Sequence, residues 1–185
     1  MDGDIVTLSI GESKPKSVKL FAELIKLVER TDHTHSFVSW KDTRLVIRKV
    51  AEAKGGGCRI LTNSQFKNDA QVVRIYQYKI SKENLMLAEK FLWDQLAKPY
   101  GFKHILGLLL MRACFLKSNP FKDGDYSQIC VELSVKMICL ALGIKIPDNV
   151  ENWGLREAQM FNKKNADEGL CEIASQEKID RINGR

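Results

Sequence analysis

Cysteine is the residue type in this chain best suited to covalent chemistry, and Cys130 sits where a thiol could ionise. The stretch 125–144, DYSQICVELSVKMICLALGI, carries Leu133, Met137, Leu140 and Ala141 at helical spacing, which predicts a helix packed on a core. Asp125 and Ser127 are capping residue types just upstream, and Gly143 followed by Pro147 forms a stop signal. Cys130 then falls in or near the first turn, where unpaired N–H groups and the positive dipole end favour a thiolate. Free cysteine is also among the most often buried residue types, so position alone leaves a space-filling thiol open.

A cysteine nucleophile needs a base within hydrogen-bond reach and a third group to orient that base. Of the three histidines, His104 opens an apolar run, a setting that favours a structural role. His33 and His35 begin the strand-like segment THSFVSW (34–40), and side-chain alternation puts both on one face. With RLVIRKVAEA (44–53) that segment reads as a β-hairpin turning around Lys41, Asp42 and Thr43. A four-residue loop at 42–45 pairs Lys41 with Val46 and sets His35 opposite Glu52. A two-residue loop at 42–43 pairs His35 with Val50 and leaves Glu52 diagonal on the same face. Either register brings a carboxylate beside the imidazole, as the orienting member of a triad requires. Spacing alone leaves an ordinary solvated cross-strand charge pair equally open.

The elements that must hold these residues follow from pattern. Residues 4–10 read as a short strand, and 17–30 as an amphipathic helix with Leu20, Phe21, Leu24, Leu27 and Val28 on its apolar face. After the hairpin, Gly55 to Gly57 make a second turn into a strand at 58–62, and 71–80 supplies another. A long helix is expected from Lys82 to about Ala97, ended by Pro99 and Gly101, then an apolar helix within 104–117, then the Cys130 helix. Beyond Pro147 the chain is polar, with one helix expected at 153–164 and disorder in the last dozen residues. The order predicts an α+β domain with segregated layers, one domain over 1–185 with its core at about 3–147 and a polar extension at 148–185.

Composition narrows the function classes. At 185 residues, 44% hydrophobic and 28% charged, the chain matches a soluble globular domain. Its net charge of +6 is spread along the sequence, which argues against a nucleic-acid partner. Five cysteines without a C-x-x-C pair make a structural zinc site or a secreted disulfide framework improbable. The acidic N-terminus predicts no signal peptide, and a reducing cytoplasmic setting is expected. Arg112 interrupts the apolar run 104–117, which falls short of the roughly 20 residues a membrane span needs. Peripheral membrane contact stays open. AKGGGCR lacks the spacing of a phosphate-binding loop and precedes strand-like residues rather than a helix.

In their order and spacing, GDIV (3–6), THSFVSW, VAEAKGGGCRI (50–60) and ICVELSVKMICLALGI (129–144) resemble the permuted papain-like cysteine hydrolases. This is the branch of the NlpC-type superfamily that includes YiiX-like proteins, with lecithin retinol acyltransferase as a relative. The resemblance implies a circularly permuted papain-like fold, an antiparallel sheet or partial barrel packed against helices. It implies Cys130 as nucleophile and Glu52 as orienting residue. It also implies His35 as base in preference to His33, because His35 directly precedes SFVSW. Tyr126 and Gln128, just before the cysteine, are candidates to line an oxyanion pocket with the Cys130 N–H; a packed tyrosine and a solvated glutamine are the plainer alternative. Glu132 matches a glutamate of the family pattern and suits the helix dipole as a structural group. Val131 departs from the family's small hydroxyl residue, and Arg44, Arg48 and Lys49 make the second hairpin strand unusually basic. The implied activity is cleavage of an amide or ester through an acyl-enzyme, with no metal or organic cofactor and an acyl, peptide or lipid-like substrate. An acyltransferase or lipid deacylase with the same triad, and an inactive binding module of the same fold, are the alternatives.

Overall fold

The computed structural model describes residues 5–16, 20–42, 47–121 and 127–184. Six strands, all paired antiparallel, form one open sheet: β1 (Ile5–Pro15), β2 (His35–Asp42), β3 (Ile47–Lys54), β4 (Gly57–Thr62), β5 (Ala70–Ser81) and β6 (Glu172–Ile173). Their order is β4-β3-β2-β1-β5-β6. Seven α-helices, α1 (Leu20–Glu29), α2 (Asn63–Asp69), α3 (Lys82–Gln95), α4 (Phe102–Ala113), α5 (Cys130–Leu142), α6 (Leu155–Asp167) and α7 (Gln176–Asn183), and a 3-10 turn at Val150–Asn152 lie among the described residues. This is the α+β class expected from the sequence, realised as an open sheet rather than a barrel.

Strand alternation splits the core in two. Leu8, Ile10, Val38, Trp40, Ala51 and Tyr78 turn to one face and pack against Leu85, Ala88 and Leu92 of α3 and Leu133, Met137 and Ile138 of α5. Phe37, Val50, Val72 and Ile75 turn to the other face, under Phe66 of α2 and Ile179 of α7. A third cluster lies on the outer side of α5, where Ile105, Leu108 and Leu109 of α4 meet Val131, Val135 and Leu155.

Several elements differ from expectation for physical reasons. β1 runs on to Pro15 because both its edges are paired, to β2 and to β5, and its buried Glu12 is neutralised by Arg74. α2 interrupts the expected strand series; Thr62 caps it reciprocally with Gln65, a capping box readable as T-x-x-Q. On α1 the stripe Leu20, Leu24 and Leu27 faces outward, at 90%, 46% and 75% exposure, whereas Ala22 and Glu29 are buried. Glu29 is drawn inward by Arg112 of α4, whose Nε donates to its Oε1 at 3.0 Å. The glycine turn forms as expected: Gly57 adopts φ +105°, and an added Cβ would strike the Lys98 carbonyl oxygen at 2.5 Å.

The C-terminal region is the clearest correction. The last dozen residues, expected to be disordered, include α7, which joins the core through Ile179, and they follow β6, which adds to the edge of the sheet. The Ala174 N–H donates to the Ile75 carbonyl, and Asn183 brackets Val72, accepting from its N–H and donating to its carbonyl, both at 2.9 Å. α7 presents one buried isoleucine, Ile179, with the partly buried Ile182 beside it, and its other six residues are polar, so composition alone reads it as a solvated tail. The helix expected at 153–164 is α6, displaced by two to three residues. Among the described residues no helix is long and apolar enough to cross a membrane.

Candidate active site

α5 begins at Cys130 itself. Its N-cap is Ile129, without a side-chain cap bond, so Ser127 does not cap the helix; Asp125 lies outside the described residues. The approach to the helix is fixed by backbone pairing instead. Gln128 N–H donates to the Pro99 carbonyl at 3.1 Å, and Gly101 N–H donates to the Gln128 carbonyl at 3.1 Å. The helix ends where expected, at Gly143 with φ 65°. The thiol therefore stands on the first helical residue, where the dipole is strongest.

β2 begins at His35, and its imidazole reaches both partners. Nε2 lies 2.7 Å from Glu52 Oε2, and the Cys130 sulfur is its second hydrogen-bond partner. The hairpin register differs from both sequence alternatives: Val38 faces Ala51 and Asp42 faces Ile47. This shifts the pairing by an even number of residues from either alternative. The parity survives, and Glu52 reaches the imidazole diagonally.

The electrostatics of the three groups are coupled. Burial pushes the Cys130 thiol up, but hydrogen bonding and charge from His35, with the N–H groups of Ser36 and Val131 aimed at sulfur, hold it below its ordinary value. Burial pushes His35 down, and Cys130 and Glu52 outweigh it, raising the imidazole to about 9. Glu52, 1% exposed, is held at about 2: burial opposes ionisation, and His35 and Arg59 overcome it. All three shifts favour the same charge pattern, a thiolate beside an imidazolium with a carboxylate behind it.

Four residues of this site were not among those singled out from the sequence. Arg59, opposite Glu52 in the β3–β4 ladder, donates Nε and Nη2 to Glu52 Oε1 at 2.9 and 2.5 Å, leaving Oε2 for His35. Tyr100 hydrogen-bonds the Cys130 sulfur; burial first, then the Cys130 charge, raise its phenol well above the ordinary value. Ser36 Oγ meets Ser134 Oγ at 2.8 Å, joining β2 to α5 one turn beyond the thiol. Only the Arg59 position was open to register reasoning, since it falls where β4 crosses Glu52.

Gln128 is 1% exposed, forms a parallel bridge with Tyr100, and has neither amide atom partnered among the described residues. It is buried, contrary to the solvated alternative. Tyr126 lies outside the described residues. Glu132 is buried and pairs with Lys136 at 2.7 Å, the structural role expected of it. His104 donates from Nε2 to the Glu151 carbonyl at 2.5 Å, also a structural role. His33 is buried and pairs with the buried Glu12 and the exposed Asp32 instead. Those three are the one group of described residues with ligand atoms close enough to hold a metal, but Arg74 pairs with both carboxylates, so the cluster is a closed charge network.

Two cavities meet at the site. A cleft of about 250 Å³ exposes His35 and Tyr100 between Lys14, Lys54 and Phe102. A crevice of about 30 Å³, roughly the volume of one water, runs behind Cys130 between Ile105, Leu108, Leu109 and Ile129. Ile25, Thr34 and Tyr100 line both. Comparison with protein families, with curated proteins and with solved structures found no match to this chain. Fold and site together define an α+β domain with a buried Cys–His–Glu constellation at the mouth of a helix.

Proposed function

We propose that this chain is a cysteine hydrolase of the permuted papain-like type, cleaving an amide or ester through an acyl-enzyme on Cys130. The observation that carries the reading is the single imidazole of His35 shared between the Cys130 sulfur and Glu52 Oε2 at 2.7 Å. The thiolate attacks the acyl carbonyl, forming a C–S bond, while backbone N–H groups at the first turn of α5 hold the oxyanion. Collapse breaks the C–N or C–O bond, and the His35 imidazolium gives its proton to the leaving amine or alcohol. Water then loses a proton to His35, attacks the thioester and releases the acid, restoring the Cys130 thiolate. Glu52 keeps the imidazole oriented throughout, as Arg59 keeps Glu52.

A second reading, an acyltransferase or lipid deacylase with the same triad, is favoured by the apolar crevice of Ile105, Leu108 and Leu109 beside the thiol. Peripheral contact with a lipid surface fits the outward stripes Leu20, Leu24 and Leu27 on α1 and Phe102, Leu106 and Leu110 on α4. The five free thiols fit a reducing, cytoplasmic setting. Nitrophenyl esters of increasing chain length, set beside peptide anilides, test both readings. A burst of product with a mass adduct on Cys130, absent in Cys130→Ser, is the expected result. Turnover that persists in Cys130→Ser would overturn the mechanism, and a preference for anilides over long-chain esters would overturn the lipid reading.

A further inference from the structure

A second cleft, of about 520 Å³, opens on the α2/α7 side of the sheet, away from α5. That volume is within the range of small-molecule sites. Its floor contains one row of polar side chains across three strands: Gln77 of β5 pairs with Ser9 of β1, which pairs with Ser39 of β2. Four cations surround this row, Arg48 from β3, Lys67 from α2, and Lys178 and Arg181 from α7, and no acidic side chain is among the lining residues.

Two of these groups are poorly satisfied among the described residues. Ser9 is 1% exposed and its hydroxyl has no hydrogen-bond partner among the described residues. Arg48 is half-buried and donates only a long bond, 3.5 Å, to Ser39 Oγ, with no carboxylate within ion-pair distance among the described residues. Burial lowers the Arg48 pKa from its ordinary value, the direction expected of a guanidinium with no counter-charge. A buried hydroxyl and a partly desolvated guanidinium left open in one cleft are costly unless something fills them. Lys178 and Arg181, by contrast, are already engaged, with Gln77 and Glu177, and form the outer rim.

We infer that this cleft binds a phosphate-bearing ligand of at least two negative charges, with Arg48 and the Ser9 and Ser39 hydroxyls on the phosphoryl oxygens and Lys67, Lys178 and Arg181 around the remaining charge. Guanidinium and hydroxyl donors converging on one point suit the several acceptor oxygens of a phosphoryl group. The site is separate from Cys130 and does not depend on the chemistry proposed there. It gives a role to Arg48 of β3, which the hydrolase pattern leaves without one.

The test is calorimetric titration of the full chain with inorganic pyrophosphate at physiological salt, beside Arg48→Met, Ser9→Ala, Lys67→Gln and, as a distant control on α3, Lys90→Gln. Saturable binding of one pyrophosphate per chain is expected, weakened about tenfold or more in Arg48→Met, less in Ser9→Ala and Lys67→Gln, and unchanged in Lys90→Gln. Cys130→Ser should bind as the parent does, which separates this site from the thiol. If Arg48→Met loses its native circular dichroism, Ser9→Ala and Lys67→Gln carry the comparison. Equal binding by all variants, or binding that never saturates, would reduce the cleft to general charge attraction and overturn the inference. Competition by phosphatidylcholine vesicles containing phosphatidic acid would keep the site and put the phosphate on a lipid headgroup; absence of competition would make the ligand soluble.

Discussion

The hydroxyls of Ser36 and Ser134 lie 2.8 Å apart and join the strand that carries His35 to the helix that carries Cys130. Both serines are 2% exposed, and Ser134 Oγ also donates to the Val131 carbonyl at 3.0 Å. Ser36 must then donate to Ser134, which fixes the direction of the pair. Residue 36 also turns its N–H to the Cys130 sulfur, so the serine contact holds in place the backbone that supports the thiolate.

Removing Ser134 leaves the Ser36 hydroxyl buried without an acceptor, so Ser134→Ala should cost about 1–3 kcal/mol in urea unfolding. Ser36→Ala deletes one donor and should cost less. The double variant should fall short of the sum of the two singles, because the second deletion removes an orphan the first created. Additive losses would mean that the contact is not energetically coupled. Alkylation of Cys130 should slow in both variants without change at Cys114, the exposed thiol.

The pH dependence follows from opposed shifts. Cys130 ionises below its ordinary 9.0, and His35 keeps its proton up to about 9. The thiolate–imidazolium pair therefore exists between those two limits, and turnover should rise as the thiol ionises and fall as pH passes through about 9. In His35→Ala the acid limb of iodoacetamide labelling at Cys130 should move upward. Cys58 and Cys139, which burial pushes up to about 11, should stay unlabelled at neutral pH. A Cys130 that labels no faster than those two would remove the ion pair.

Much of this site was legible because its parts lie on regular elements. A helix start and a strand alternation are local patterns, and they fix which face a side chain takes. Parity put Glu52 on the His35 face although the register itself was missed, since an even shift leaves the hydrophobic alternation unchanged. Tyr100, Ser36 and Ser134 were not legible, because their roles rest on contacts between segments far apart in sequence. The apolar stripe on α1 was legible only in part: Val28 packs against the α4–α5 cluster, whereas Leu20, Leu24 and Leu27 face outward and the acidic Glu29 is buried on Arg112.

Glu52 supplies a test at acid pH. Its folded value, about 2, lies below the ordinary 4.5, so its contribution to stability is full above pH 4.5 and lost as pH falls toward 2. Glu52→Gln should flatten that part of the acid-unfolding curve. It should also lower the basic limb of turnover from about 9, since the imidazolium loses its counter-charge. His35 adds the opposite slope: with its value raised from 6.5, its stabilisation is full below 6.5 and lost as pH rises through about 9. Identical acid-unfolding curves for parent and Glu52→Gln would show that the carboxylate is not held by its partners.

The C-terminal helix gives the last expectation. α7 covers the sheet face opposite α5 through Ile179, which is 4% exposed and packs with Phe37, Phe66, Val72 and Ile75. Truncating that side chain opens a cavity the sheet cannot close by moving, because β1 and β5 are paired along their whole length. Ile179→Ala should therefore cost about 2–4 kcal/mol in unfolding free energy. The thiol lies on the other side of the sheet, held by β2, Tyr100 and α5, so Cys130 labelling per folded molecule should match the parent. Asn183→Ala should lose less than Ile179→Ala while freeing both backbone groups of Val72, which hydrogen exchange at the Val72 amide will report. Stability unchanged in both variants would return residues 174–184 to the status of a solvated tail.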